Sequence, residues 1–204
     1  MVISAPYGGL SVITPPSFEP ITLTDAKQHL RYDYDNENAL IETLIKAARE
    51  WVESYTGRAL VEQTLEYAID SYPDELRLPR PPIIEVESFK YTTADGTLTA
   101  IVADQYTLDV SAALQPRIVP AYNVSWPATR SQPSSLRIRY KAGYAREGSP
   151  TDHDTIPASL RAAIKLLVGH WFKNRESVVI GATANEVPIA AQALCDPYRV
   201  HFGF

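Results

Sequence analysis

"IPASLRAAIKLLVGHWFKNRES", Ile156 to Ser177, is the stretch on which the fold turns. Leu160, Ala163, Ile164, Leu167, Val168, Trp171 and Phe172 recur at helical spacing and make one apolar stripe. Pro157 suits a first helical turn, where its missing N–H is no loss. The spacing predicts a helix over 157–175. Arg161, Lys165 and Lys173 fall at intervals of four and eight along one outer edge, and Gly169 fills the gap in that row. A glycine inside a helix costs about 1 kcal/mol against alanine, so close packing against another element is expected there.

A stripe of that kind needs a mate. "NENALIETLIKAAREWVESYTGRAL", from Asn36, supplies one. Leu40, Ile41, Leu44, Ile45, Ala48, Trp51, Val52 and Tyr55 follow the same period over a helix at 37–55, with Asn36 as N-cap and Gly57 as a left-handed stop. No other helix of this length lies near either segment in sequence. The two are therefore expected to pack together, with Trp51 and Trp171 in one core. "TDAKQHLRY" predicts a shorter helix at 24–31, with Thr24 as N-cap.

Between the helices the period changes to two. "QTLEYAID", "LRLPRPPIIEVESFKYTT", "GTLTAI", "QYTLDV", "PRIVPAYNVSW" and "SSLRIRYKAGY" read as strands of a β section at 61–144. Short connections without crossover helices make it mostly antiparallel. Ala94–Gly96 marks a hairpin turn, and Pro79–Pro82 an edge or bulge. In "LRIRY" and the lysine after it, Leu136, Ile138 and Tyr140 take one face, and Arg137, Arg139 and Lys141 the other. The fold expected is α+β: a small helical bundle built from both ends of the chain, with the β section inserted. Residues 1–20, with four prolines and two glycines, read as an irregular arm. Residues 21–175 read as one domain. Residues 176–204 read as a tail with no core of its own, which calls for a partner to order it. "VPIAAQALC" within it is a short helix at Val187–Cys195, with Ile189 and Leu194 apolar.

Composition bounds the function. The 204 residues are 45% hydrophobic and carry a net charge of −5. The sum conceals segregation: residues 1–129 hold 9 basic and 18 acidic side chains, and residues 130–175 hold 9 basic and 3 acidic. Opposite signs on one small chain suit contact between copies, though chance segregation gives the same count. Cys195 is the single cysteine, so no intrachain disulfide forms, which fits a reducing cytoplasm. The first basic residue is Lys27, and the longest apolar run, broken by Lys165, is too short for a bilayer. The reading is of a soluble chain without a membrane.

Candidate chemistry is sparse. His29, His153, His170 and His201 sit in separate segments without metal-ligand spacing. "DHD" at Asp152–Asp154 reads as a solvated loop rather than a cation site, and Cys195 has only His201 near it in sequence. Nucleophile elbows, phosphate loops and paired-cysteine motifs are missing. The sequence calls for no enzyme, no metal and no cofactor. The basic set at 130–175 could touch phosphates, making a DNA-binding factor the alternative reading, but no base-reading motif accompanies it.

"ITLTDAKQHLRYD" (21–33), "NALIETLIKAAREWVESYTGRAL" (38–60), "LRLPRPPIIEVESFKYTTADG" (76–96), "YTLDV" (106–110), "RIVPAYNVSWP" (117–127), "LRIRYKAGY" (136–144), "IPASLRAAIKLLVGHWFKNRES" (156–177) and "VPIAAQALCDPYRV" (187–200) follow one another in an order that resembles the small head–tail connector, or adaptor, proteins of long-tailed bacteriophages and prophages. The Pro-rich first twenty residues have no place in that pattern. The resemblance implies a structural virion protein assembled in the host cytoplasm. It implies a ring of twelve copies below the portal, extending the DNA channel and receiving the next neck or tail-completion protein. Genome DNA would pass through without sequence-specific binding. The tail would reach toward the portal, with Val187, Ile189, Leu194, Tyr198 and Arg199 as its contacts. Arg137, Arg139, Lys141, Arg161, Lys165 and Lys173 would face a neighbouring subunit or the channel.

Overall fold

The computed structural model describes residues 3–5, 8–111, 115–144, 155–175 and 189–200. Asp152–Asp154, Val187 and His201 lie outside them. The described residues fall into two compact units: 3–5, 8–17, 62–111 and 115–144 make one, and 18–61, 155–175 and 189–200 the other.

The second unit is helical. Helix α1 (Leu23–Leu30) starts at Thr22, two residues before the expected cap. Thr22 Oγ1 accepts the amide of Asp25, whose carboxylate accepts the Thr22 amide in return. Helix α2 (Asn38–Thr56) has Glu37 at its N-cap, with no side-chain capping bond, and ends as expected at Gly57, φ 70°. Helix α3 (Ala158–Lys173) opens after Pro157. Helices α2 and α3 pack together, with α1 against both. The buried column is Ile41, Ile45, Ala48 and Val52 on α2, with Leu160, Ala163, Ile164, Leu167 and Val168 on α3.

Trp51 and Trp171 are both half-buried and are absent from this column. Small Ala48 and Ala163 stand inside it, and the wide rings are left to the stripe's margin. Trp51 instead stacks on Tyr55, ring centres 4.9 Å apart and 13° from parallel. Gly169 has the expected reason: a Cβ there would stand 3.3 Å from His29 Nε2 on α1. A buried ion pair adds to the unit. Arg49 bonds Glu53 at 3.0 Å and Glu19 at 2.8 Å, while the other oxygen of Glu53 accepts the Leu60 amide.

The tail differs from its reading. Helix α4 (Ile189–Cys195) packs on α3 and α2 of its own chain. Its buried residues are Ala191 and Cys195, four apart, while Ile189 is 74% exposed. A narrow face of small side chains seats a short helix closely, which the search for large apolar anchors overlooks. The amide of Val200 then donates to Thr56 O, and Arg58 Nε to Tyr198 O. So the strap at 189–200 also satisfies a terminal carbonyl of α2.

The first unit is β. Strands β1 (Ile3–Ala5), β2 (Gly8–Thr14), β3 (Gln63–Ile69), β5 (Ile83–Thr92), β6 (Leu98–Ile101) and β9 (Leu136–Ala142) form one sheet, in the order β1-β2-β3-β9-β5-β6. Strands β4 (Leu76–Arg77), β8 (Arg117–Pro120) and β7 (Tyr106–Asp109) form a second. Every pairing is antiparallel, as expected. The arm read as irregular supplies β1 and β2. The prolines of that segment flank Gly8–Thr14 rather than interrupt it, so the ladder to β3 keeps its donors. The predicted hairpin joins β5 to β6, with Gly96 at φ 94°. Leu65, Ile69, Phe89, Leu136, Ile138 and Tyr140 are buried, together with Leu76, Leu78 and Ile118 from the smaller sheet and its margin. Trp126 stacks on Tyr72 and meets Phe89 edge-on. Tyr140 donates to Pro79 O at 2.7 Å.

Candidate functional site

The residues expected to touch partners fall into three places. The first is β9. Alternation there is complete: Leu136, Ile138, Tyr140 and Ala142 are buried, and Arg137, Arg139 and Lys141 take the other face. That face is not uniformly basic. Arg139 pairs with Glu66 of β3 at 2.8 Å. Lys141 reaches Glu85 at 2.8 Å and Glu87 at 3.7 Å on β5; the bond to Glu85 raises the ammonium's pKa. Arg137 is exposed and makes no ion pair among the described residues.

The second place is the outer edge of α3. Arg161 and Lys165 line a cavity of about 260 Å³ with Pro20, Ile21, Asp25, Ala158 and Ala162. Lys165 meets Asp25 at 3.3 Å. Burial works against the Asp25 charge, but bonds from Thr22 and the Lys165 ammonium hold its pKa below the usual value. Lys173 stands two turns further on and is exposed. Beyond it, Arg175 pairs with Glu37 and lies 4.9 Å from the centre of the Phe172 ring. The α3 cations thus belong to the helical unit, and those of β9 to the β unit.

The third place is the strap. Tyr55 Oη donates to Asp196 at 2.6 Å, Arg199 lies 4.8 Å from the centre of the Tyr55 ring, and Val200 sits 3.5 Å from where a Cβ on Gly57 would be. Leu194 and Tyr198 are half-buried, and Ile189 and Arg199 are exposed. Val187 is outside the described residues. Cys195 is fully buried, and burial, then the neighbouring Asp196, pushes its thiol up to about 11. That thiol is protonated at neutral pH and a poor nucleophile.

Sequence reasoning missed Lys90 as a companion of Arg137, because only strand register brings the two side by side. Among the described residues no group of three His, Cys, Asp or Glu side chains is placed to hold a metal ion. No helix among them is long and apolar enough to cross a membrane.

No curated protein matches the sequence. Solved structures are similar in fold, three of them as follows. A chain of the "Virion of native gene transfer agent (GTA) particle" is 23% identical, with a TM-score of 0.76, over 96% of this chain and 97% of that one. Chains of the "Neck of native GTA particle computed with C12 symmetry" and the "Neck of empty GTA particle computed with C6 symmetry" are each 22% identical over the same shares, with TM-scores of 0.74 and 0.73. The sequence model of the phage gp6-like head–tail connector proteins matches residues 20–89 and 132–199, which takes in the helices at both ends of the chain, the strands β3, β4 and β9, most of β5, and the strap to Arg199. This chain therefore belongs to the phage gp6-like head–tail connector family, a family of structural virion proteins.

Proposed function

We propose that this connector acts as a twelve-membered ring in the virion neck, binding the portal on one side and the next neck or tail-completion protein on the other, with DNA passing through its lumen. The observation that carries the reading is the near full-length likeness to a neck chain whose particle was computed with C12 symmetry. Family membership supports a joining role over a catalytic one. The protein would assemble in the host cytoplasm before joining the virion.

The strap is the portal-facing part in this reading. Buried Ala191 and Cys195, with half-buried Leu194 and Tyr198, hold it to its own chain, and exposed Ile189 is left for the partner beside Arg199, which also lies over the Tyr55 ring. A large aliphatic side chain in water at the tip of a short helix is the residue type that an interface pocket takes up. The alternative, a DNA-binding factor acting through 130–175, is weakened by ion pairs on Arg139, Lys141 and Lys165.

The test is molecular mass, alone and with portal, against a protomer of 22.7 kDa. A twelve-subunit species, alone or on portal, is expected. Ile189→Glu should keep the fold and weaken portal binding. A wild-type chain that remains monomeric in both settings, or salt-sensitive DNA binding by that monomer, refutes the reading.

A further inference from the structure

On the outward face of the six-stranded sheet, one cross-strand row differs from the others. Its members in register are Ser4 of β1, Gly9 of β2, Ala68 of β3, Arg137 of β9, Lys90 of β5 and Ala100 of β6. Two residues along, the row is Ser11, Glu66, Arg139 and Ser88, and Glu66 neutralises Arg139. The row after that holds Thr64, Lys141 and Glu85, and Glu85 neutralises Lys141. The Arg137–Lys90 row alone of these three has two cations and no carboxylate.

Both side chains are exposed, and neither makes an ion pair among the described residues. The next carboxylate after Glu66, that of Asp70 just past the end of β3, accepts the Ser134 amide at 2.7 Å. Like charges directly opposite on antiparallel strands destabilise the sheet, so the pair gains when an anion arrives. Its flanking positions, Gly9, Ala68 and Ala100, are small, which leaves both cations open to a flat partner.

We propose that the Arg137–Lys90 row docks carboxylates of a second copy of this chain and is one half of the contact between neighbouring subunits. This rests on the ring reading above. Charge selects the occupant. Residues 1–129 carry twice as many acidic as basic side chains. Among the described residues, exposed Asp33, Glu42, Asp74 and Asp104 make no ion pair that would hold them back. A cationic patch on one place and carboxylates on another give a head-to-tail contact, the kind that closes rings. A polyanion such as DNA meets a chain of net charge −5 and is the poorer fit.

The experiment compares the mass distribution of the full-length wild type with that of the Lys90→Glu/Arg137→Glu variant, each alone and on portal, across protein concentration and salt. Charge reversal is expected to raise the concentration needed for half-assembly by about tenfold or more, and salt should weaken the wild-type ring in the same direction. Thermal melting checks that both fold. The milder Lys90→Gln/Arg137→Gln variant, expected to show a smaller loss in the same sense, carries the test if charge reversal unfolds the sheet. If the wild type forms rings and the folded variants do so equally well, this surface is refuted and the ring reading stands. If the wild type forms no ring in either setting, the ring reading falls and this surface falls with it.

Discussion

Cys195 illustrates how little a residue's type says until its surroundings are known. In the sequence it is a lone cysteine in a tail. In the fold it is a small apolar plug, fully buried, with its thiol pushed up to about 11 from a usual 9. Between those two values the docked strap holds a proton that the freed strap has lost. Docking should therefore be strongest below pH 9 and weaken as pH rises toward 11. Thiol labelling at pH 7.5 should be at least tenfold slower for the native protein than for the chain in denaturant, and should accelerate when Tyr55→Phe and Arg58→Ala cut the strap's polar ties. Equal labelling rates in native and denatured protein would disprove the docked strap. The same lesson holds at the helix cap. Thr22 and Thr24 are equally good cap residues in the sequence, and the reciprocal bonds with Asp25 select Thr22.

Among the elements, the helices were legible because their periods are long and their stops explicit: α2 and α3 lie within two residues of their expected bounds. What the stripe did not reveal was its own width. Eight apolar positions on α2 look alike on paper, but a helix crossing takes only the central ones, and Trp51 passes to the rim. The strands β1 and β2 were missed for a different reason. Proline and glycine counts treat a segment as uniform, whereas the prolines stand on either side of Gly8–Thr14. Gly169 offers a measurement at this scale. A Cβ there would press on His29 Nε2 at 3.3 Å, but that ring is the far end of an exposed side chain and can yield. Gly169→Ala should therefore stabilise the protein, by somewhat less than the roughly 1 kcal/mol of helix propensity. A lower melting temperature would mean that α1 itself has to move. Gly57 is the opposite case: at φ 70° any side chain is strained.

For the whole molecule, the α+β class, the antiparallel β section and the helical pairing of the chain's two ends follow from the order of periods alone. The site was only partly legible. Alternation in "LRIRYK" puts three cations on a face, but which of them are neutralised depends on partners 73 and 56 residues away, Glu66 and Glu85. Lys90 enters only through register. No local pattern carries that information.

The interleaving of the two units also has a consequence in time. The β unit is complete once β9 has been made, whereas the helical unit opens with residue 18 and still lacks α3 and the strap at that moment. During synthesis the chain therefore carries α2 with Ile41, Ile45 and Val52 uncovered while the entire β section passes through the ribosome. Domains fold as units when their last piece emerges, and uncovered apolar faces in the interval invite aggregation. Nascent chains arrested with Tyr144 outside the ribosome should resist protease across 62–144 and be cut within α2. Chains arrested after Val200 has emerged should resist across both. Protection of α2 at the earlier arrest would show that the helix finds cover before its partner exists.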